Sequence, residues 1–169
     1  MELTNNMNTL EPYEFRNEGN LYSFITDNAV VYQLRISDGS TYFNNFPENL
    51  TIYDFIISVA VLGGNEKKAL DKRIERTVVQ ILIEFLSEKE NSVIYICDDS
   101  DNRHHIRKRK YDSWFNLNKN SLIEKHDLNI QYEDFEVLTS LLINKTNSNK
   151  DFIINLFFQQ GKEIINDKP

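Results

Sequence analysis

The sequence predicts a single α/β domain built on a mixed, mostly antiparallel sheet of about seven strands with helices packed on it. One observation is a run of five apolar residues at 93–97, which is typical of a strand covered on both faces in the middle of a sheet. The other is a helix-like pattern on each side of that run. A strand reached across a helix is expected to lie parallel to its predecessor, so we expect residues 93–97 to be central and parallel to residues 51–62.

Length and composition favour a single domain and a cytoplasmic location. The 169 residues suffice for a two-layer core, and we assign residues 13–166 to it. Residues 1–12 are rich in Asn and end at Pro12, so we interpret them as a flexible tail. The longest uncharged apolar stretch, 55–62, is far shorter than the roughly 20 residues of a membrane helix. With no signal-like start and a single cysteine, Cys97, we expect a cytoplasmic protein without an internal disulfide.

The first half of the chain has strand patterns. Residues 13–17, 21–26 and 29–37 are separated by short turn-forming segments, which predicts antiparallel neighbours, and Asp27-Asn28 indicates a hairpin turn. Residues 51–62 form a long alternating run. From Tyr53 onward its odd-numbered members are all apolar, so we expect them to face the core: Tyr53, Phe55, Ile57, Val59 and Val61.

The second half alternates helices with strands. Apolar residues recur at three- and four-residue steps over 67–89, which predicts a long amphipathic helix after a turn at 63–65. The central strand is followed by a basic helix at 102–116. Two more alternating segments, 121–131 and 135–144, predict strands, and a last apolar-faced helix begins near Phe152.

The turn after the central strand contains residues that bind metals in other proteins. They are Asp98, Asp99, Asp101, His104 and His105. Carboxylates and imidazoles within one turn can coordinate Mg²⁺, Mn²⁺ or Zn²⁺. Adjacent side chains on a helix point about 100° apart, however, so both histidines are not expected to serve one ion. We therefore interpret the aspartates as helix caps and predict no metal site.

The basic helix has a stripe of cations and an aromatic ring, formed by Arg103, Arg107, Lys110 and Trp114. One interpretation is a binding surface for phosphate, nucleic acid or an acidic protein partner. The other is that Arg107 covers the Trp114 ring and pairs with an acidic neighbour while the remaining cations are solvated. The net charge of −7 argues against general nucleic-acid binding.

From Leu21 to Asn144 the order of elements resembles the GCN5-related N-acetyltransferases (GNAT-like fold), which splay a strand pair so that acyl-coenzyme A fits between. The family's late-helix motif is matched at Asn102, His105-Ile106, Tyr111 and Phe115. The resemblance implies acetyl-CoA or another acyl-CoA as cofactor, Asn102 orienting its pantetheine arm, and an amine as acceptor. It also makes Tyr111 a general acid that protonates the departing thiolate.

The pyrophosphate loop departs from that family. Arg73 and Arg76 lie near the expected position, but the close-approach glycines are replaced by Ile74, Glu75 and Val78. Two functions therefore remain open: an acyl-CoA-dependent N-acyltransferase with a degenerate loop, or a catalytically inactive module that binds a protein or nucleic acid through residues 102–116. The stretch from Cys97 to Phe115 is also similar to a small bacterial protein family of unknown function.

Overall fold

Seven strands form one sheet in the computed structural model, which describes residues 10–61 and 71–166. The strands are β1 (Phe15–Glu18), β2 (Leu21–Ile25), β3 (Val31–Asp38), β4 (Tyr53–Val61), β5 (Ser92–Asp98), β6 (Ile123–Gln131) and β7 (Glu136–Asn144). The α-helices are α1 (Lys72–Ser87), α2 (His104–Leu117) and α3 (Lys150–Asn166), and a short 3-10 helix lies at Ser40–Tyr42. The predicted fold class, a mixed and mostly antiparallel seven-stranded sheet with packed helices, is confirmed.

The strand order across the sheet is β1-β2-β3-β4-β5-β7-β6. Neighbours are antiparallel except β4 and β5, which run parallel across the α1 connection. β5 therefore lies inside the sheet and parallel to β4, as predicted. Among the described residues no helix combines the length and apolar character needed to cross a bilayer.

The first three strands form an antiparallel meander. β1 and β2 are joined by Gly19 and Asn20, and Gly19 has a φ of 70°, a conformation that glycine adopts without steric cost. The connection between β2 and β3 is longer than the predicted two-residue turn. It spans residues 26–30, because Thr26 and Val30 are hydrogen-bonded across it (3.0 Å) and Ala29 adopts a positive φ of 59°. The antiparallel pairing is nevertheless as expected.

Both faces of β5 are covered, which explains its continuous apolar run. Val93, Tyr95 and Cys97 belong to the core beneath α1 and α2. Ile94 belongs to a second core beneath α3, which includes Ile153. Because side chains alternate along a strand, a two-faced core needs apolar residues at every position of β5.

The outer end of β4 differs from the prediction. Phe55 and Ile57 join the core beneath α1 and α2, but Val59 is 43% exposed. Among the described side chains, the apolar cluster beneath α1 and α2 includes Ile57 but not Val59. The predicted turn at 63–65, the predicted start of α1 and residues 1–9 of the predicted tail lie outside the described residues.

Candidate functional site

β4 and β5 part soon after they pair. Only two residue pairs join them, Tyr53 with Val93 and Asp54 with Ile94. Beyond these pairs β4 continues to Val61 beside β3, and β5 continues to Asp98 beside β7. The opening lies toward the carboxyl ends of two parallel strands, where open α/β sheets bind their ligands.

Three aromatic rings lie at the point of parting. Phe55 of β4 and Tyr95 of β5 have ring centroids 5.6 Å apart, and the Tyr111 ring of α2 lies 5.8 Å from Phe55 and 5.2 Å from Tyr95. Edge-on and tilted contacts of this kind contribute beyond the area that they bury. The aromatic trio, Phe55, Tyr95 and Tyr111, therefore connects both strands to α2.

The Tyr111 hydroxyl forms no hydrogen bond within the described residues, whereas the Tyr95 hydroxyl donates to Asp112 (3.2 Å). Burial raises the pKa of Tyr111 to about 12, with Cys97 acting in the same direction and Arg107 against it. Tyr111 is therefore a protonated donor at neutral pH. Cys97 is buried as predicted, and burial raises the pKa of its thiol despite the nearby Arg107, which disfavours a nucleophilic thiolate.

A cavity of about 50 Å³ lies between α1, α2 and the sheet, and the aromatic trio forms part of its wall. The rest of the wall is mainly apolar and includes Val78, Leu82 and Trp114. Its volume exceeds the roughly 10–15 Å³ that one water needs. Sequence reasoning missed this cavity, because helical periodicity marks apolar positions without showing how closely two helices approach.

Arg107 folds back onto the turn that precedes α2. Its Nη1 donates to both carboxylate oxygens of Asp101 (2.7 and 2.6 Å) and its Nη2 to the carbonyl of Asp98 (2.6 Å). Pairing with an acidic neighbour is as expected. The cation over the Trp114 ring, however, is Lys110 (4.7 Å) and not Arg107, because Arg107 is held by Asp101.

The aspartates before α2 shape its turn but do not cap the helix. Asp101 accepts the backbone N–H of Arg103 (3.0 Å), and Asp98 accepts that of Ser100 (3.0 Å). The N-cap residue is Arg103, whose side chain forms no capping bond. Asn102 adopts a φ of 56°, which Asn tolerates better than most residues, and its N–H donates to the carbonyl of Asp99.

The cations of α2 are not equivalent. Lys108 is paired with Asp112 (2.7 Å) and Asp127 (2.8 Å), and Lys125 joins both of these carboxylates. Arg103, Arg109 and Lys110 are exposed. Within the predicted stripe, Arg107 is therefore paired with Asp101, whereas Arg103 and Lys110 remain exposed.

Arg73 and Arg76 lie in the first turns of α1 and bind the segment before β1. The Arg73 guanidinium contacts Asp27 (2.9 Å), donates to the carbonyl of Glu11 (2.9 Å) and stacks over the Tyr13 ring (3.8 Å). Arg76 donates to the carbonyl of Leu10 (2.6 Å). The helix start itself is capped by Asp71, which accepts the backbone N–H of Arg73 (2.9 Å).

His104 and His105 converge on one carboxylate. Their Nε2 atoms lie 3.1 and 2.8 Å from the same oxygen of Glu136, the first residue of β7. The ring centroids are 4.3 Å apart, so the two rings do not diverge as helical geometry suggested. His104 opens α2, where the path of the chain changes, and this allows both rings to turn toward β7. Sequence reasoning missed Glu136 because it lies 31 positions after His105 in the chain.

The fold and these contacts define a mixed α/β protein whose central parallel strands part beside a half-buried tyrosine, Tyr111. Residues 70–159 match the model of a family described as "Family of unknown function (DUF6169)". The match spans more than half of the chain, so the protein belongs to that family. No curated protein matches the chain. The matched range contains Tyr111, the histidine pair and Glu136, and it excludes β1 to β4.

Proposed function

We propose that the protein binds an acyl-coenzyme A in the opening between β4 and β5 and transfers the acyl group to an amine. The observation that carries the proposal is the two-residue pairing of these strands, which a GNAT-like coenzyme site requires. The order of elements from β2 to β7 also agrees with the resemblance read from the sequence. Because one fold hosts many functions, the proposal depends on this opening and its residues rather than on topology.

Tyr111 is the proposed general acid. In the reaction the amine nitrogen attacks the thioester carbonyl, a C–N bond forms, and the C–S bond breaks as the coenzyme thiolate leaves. The Tyr111 phenol, which is protonated at neutral pH, gives its proton to that thiolate. The amine nitrogen releases its surplus proton to solvent, and the tyrosinate takes a proton back from solvent, which restores the phenol. Its position at the parting of the strands, without a hydrogen-bond partner among the described residues, leaves the hydroxyl available for this role.

The phosphate end of the coenzyme is assigned to the start of α1. Arg73 and Arg76 would exchange their present contacts with Asp27 and with backbone carbonyls for charge-assisted bonds to the pyrophosphate. Asn102, in the turn between β5 and α2, is the proposed contact for the pantetheine arm. The cavity beside the aromatic trio is lined for an apolar acyl chain, which favours acyl groups longer than acetyl.

Coenzyme binding is tested by titrating acetyl-coenzyme A and longer acyl-coenzymes against the melting temperature. A ligand at 100 times its dissociation constant stabilises the folded state by about 2.7 kcal/mol, which gives a measurable shift. The double variant Arg73→Ala with Arg76→Ala should lose most of this shift in melting temperature. No shift at millimolar coenzyme would contradict the proposal. A full shift in the double variant would move the phosphate site elsewhere.

The role of Tyr111 is tested by Tyr111→Phe once an acceptor amine supports turnover. The variant keeps the ring contacts and removes the proton donor, so the turnover rate should fall while coenzyme affinity stays nearly constant. Equal loss of rate and affinity would instead make Tyr111 a packing residue.

A second candidate function is binding to an acidic protein partner, and the exposure of Arg103, Arg109 and Lys110 on one helix favours it. Reversing Arg103 and Lys110 to Glu should release a partner that co-purifies with the wild type. The matched control reverses two exposed cations away from α2, Arg16 and Lys89. Equal retention of the partner by both double variants would remove α2 from the interface.

A further inference from the structure

The cluster formed by His104, His105 and Glu136 plays no part in the proposed acyl transfer. The three ligand atoms, two imidazole nitrogens and one carboxylate oxygen, lie within 4.8 Å of one another. Two ligands placed about 2.0–2.1 Å from a tetrahedral ion are roughly 3.3 Å apart. The observed contacts of 3.1 and 2.8 Å to Glu136 are slightly shorter, so small rotations of the side chains would admit an ion.

The surroundings hold the ligands in place. Asn129 of β6 donates from Nδ2 to the other oxygen of Glu136 (2.8 Å), which directs the remaining oxygen toward the histidines. The backbone N–H of Glu136 donates to Asp99 (3.1 Å), so the turn before α2 and the start of β7 are joined independently of the imidazoles. Outer contacts of this kind orient ligands in known metal sites.

His104 has an unexplained environment. Its side chain is 12% exposed, and its Nδ1 is buried without a hydrogen-bond partner among the described residues. An ion bound at Nε2 would not give Nδ1 a partner, so the case for the site rests on the convergence of the two Nε2 atoms on one Glu136 oxygen. His105 is 64% exposed, so the cluster is open to solvent on one side.

We propose that His104, His105 and Glu136 form a mononuclear site for a divalent transition-metal ion. Two imidazoles and one carboxylate suit Zn²⁺, Co²⁺ or Ni²⁺ more than Mg²⁺ or Ca²⁺, which prefer oxygen ligands. Three protein ligands leave at least one coordination position for water, on the side where His105 is exposed. The ion would also link the start of α2 to the start of β7.

The test uses metal-free full-length protein titrated with Co²⁺ and with Zn²⁺. Co²⁺ is followed by its visible d–d absorption, which reports coordination geometry, and Zn²⁺ by calorimetry. The wild type should bind one equivalent, and His105→Ala and Glu136→Gln should each weaken binding by at least about tenfold. His105 carries the test because its exposed side chain can be removed with little effect on folding, which circular dichroism checks.

The chain offers matched controls. His126, the third histidine, contacts Glu124 (3.3 Å) on β6, and His126→Ala should bind the ion like the wild type. Cys97→Ser should also retain binding. The Co²⁺ spectrum of the wild type should show no thiolate-to-metal charge-transfer band, because Cys97 is not a ligand of the proposed site. Affinity in the wild type no greater than in His105→Ala would overturn the proposal. A loss of metal affinity in His126→Ala equal to that in His105→Ala would also overturn it. A preference of the wild type for Mg²⁺ over Zn²⁺ would do the same.

Discussion

The two edges of β5 contrast sharply. Its edge toward β7 is joined by seven residue pairs along the whole strand, whereas its edge toward β4 is joined by two. On the β7 side, side chains on both faces of the sheet are buried. The edge toward β4 opens beside the aromatic trio. The difference indicates that stability lies mainly on the β7 side, and the ligand site that we propose lies on the β4 side, where fewer backbone bonds join the strands.

The largest expected effect is a core truncation on the β7 side. Leu141, paired with Ile94 and fully buried, contacts the core beneath α3. Leu141→Ala should lower the free energy of unfolding by about 2–5 kcal/mol, because it removes buried methyl groups and leaves a cavity. Urea denaturation measures the change. Val59→Ala, on the part of β4 that pairs with β3 but not with β5 and 43% exposed, should stay within about 0.5 kcal/mol. Similar losses of unfolding free energy in both variants would contradict the difference between the two edges of β5.

A smaller effect is expected in acid, from the cluster that joins β6, β7 and α2. Burial alone raises the pKa of Asp127, but hydrogen bonds from Lys108, Lys125 and Ser140 outweigh it and lower the pKa to about 2. An unfolded Asp titrates near 3.9. Because the folded pKa is the lower one, this stabilisation is present above pH about 4 and is lost as the pH falls toward 2.

Asp127→Asn should therefore flatten the decrease in stability between pH about 4 and 2, measured by urea denaturation at each pH. Asp134→Asn serves as control, since Asp134 is exposed in the turn between β6 and β7. A slope unchanged in Asp127→Asn would show that the acid sensitivity arises elsewhere.

The smallest effect is expected within the aromatic trio. Tyr111→Phe should change the free energy of unfolding by less than about 0.5 kcal/mol, because the lost hydroxyl has no hydrogen-bond partner in the described part of the chain. Tyr95→Phe is the matched comparison. It removes a donor to Asp112 (3.2 Å) and should cost about 0.5–1.5 kcal/mol by thermal or urea unfolding. A larger cost for Tyr111→Phe would assign its hydroxyl a structural role.

Much of the fold was predictable from local patterns. The five apolar residues at 93–97 identified β5 as central because only a strand covered on both faces has no need of polar positions. Alternation and helical spacing located the other elements within a few residues. The site was less predictable. Tyr111 was identified through a resemblance. Its contacts with Phe55 and Tyr95 were not predicted, because they depend on how β4, β5 and α2 pack against one another.

Two details show where sequence reasoning stopped. Arg107 was expected on the Trp114 ring, yet Asp101 binds it and Lys110 takes that position. Competition between several nearby partners depends on side-chain conformations that spacing does not encode. Adjacent histidines were expected to diverge, yet both face Glu136, because the expectation assumed regular helix at a position where α2 begins.

The sequence by itself determined the order of elements, the central parallel strand and the burial of Cys97, because these follow from periodicities within one element. Only the tertiary structure decided where β4 and β5 part, which cations of α2 remain exposed, and that Glu136 meets the histidine pair. Those features depend on how distant segments approach one another. The packing of helices on a twisted sheet sets that approach, and no single segment of the chain records it.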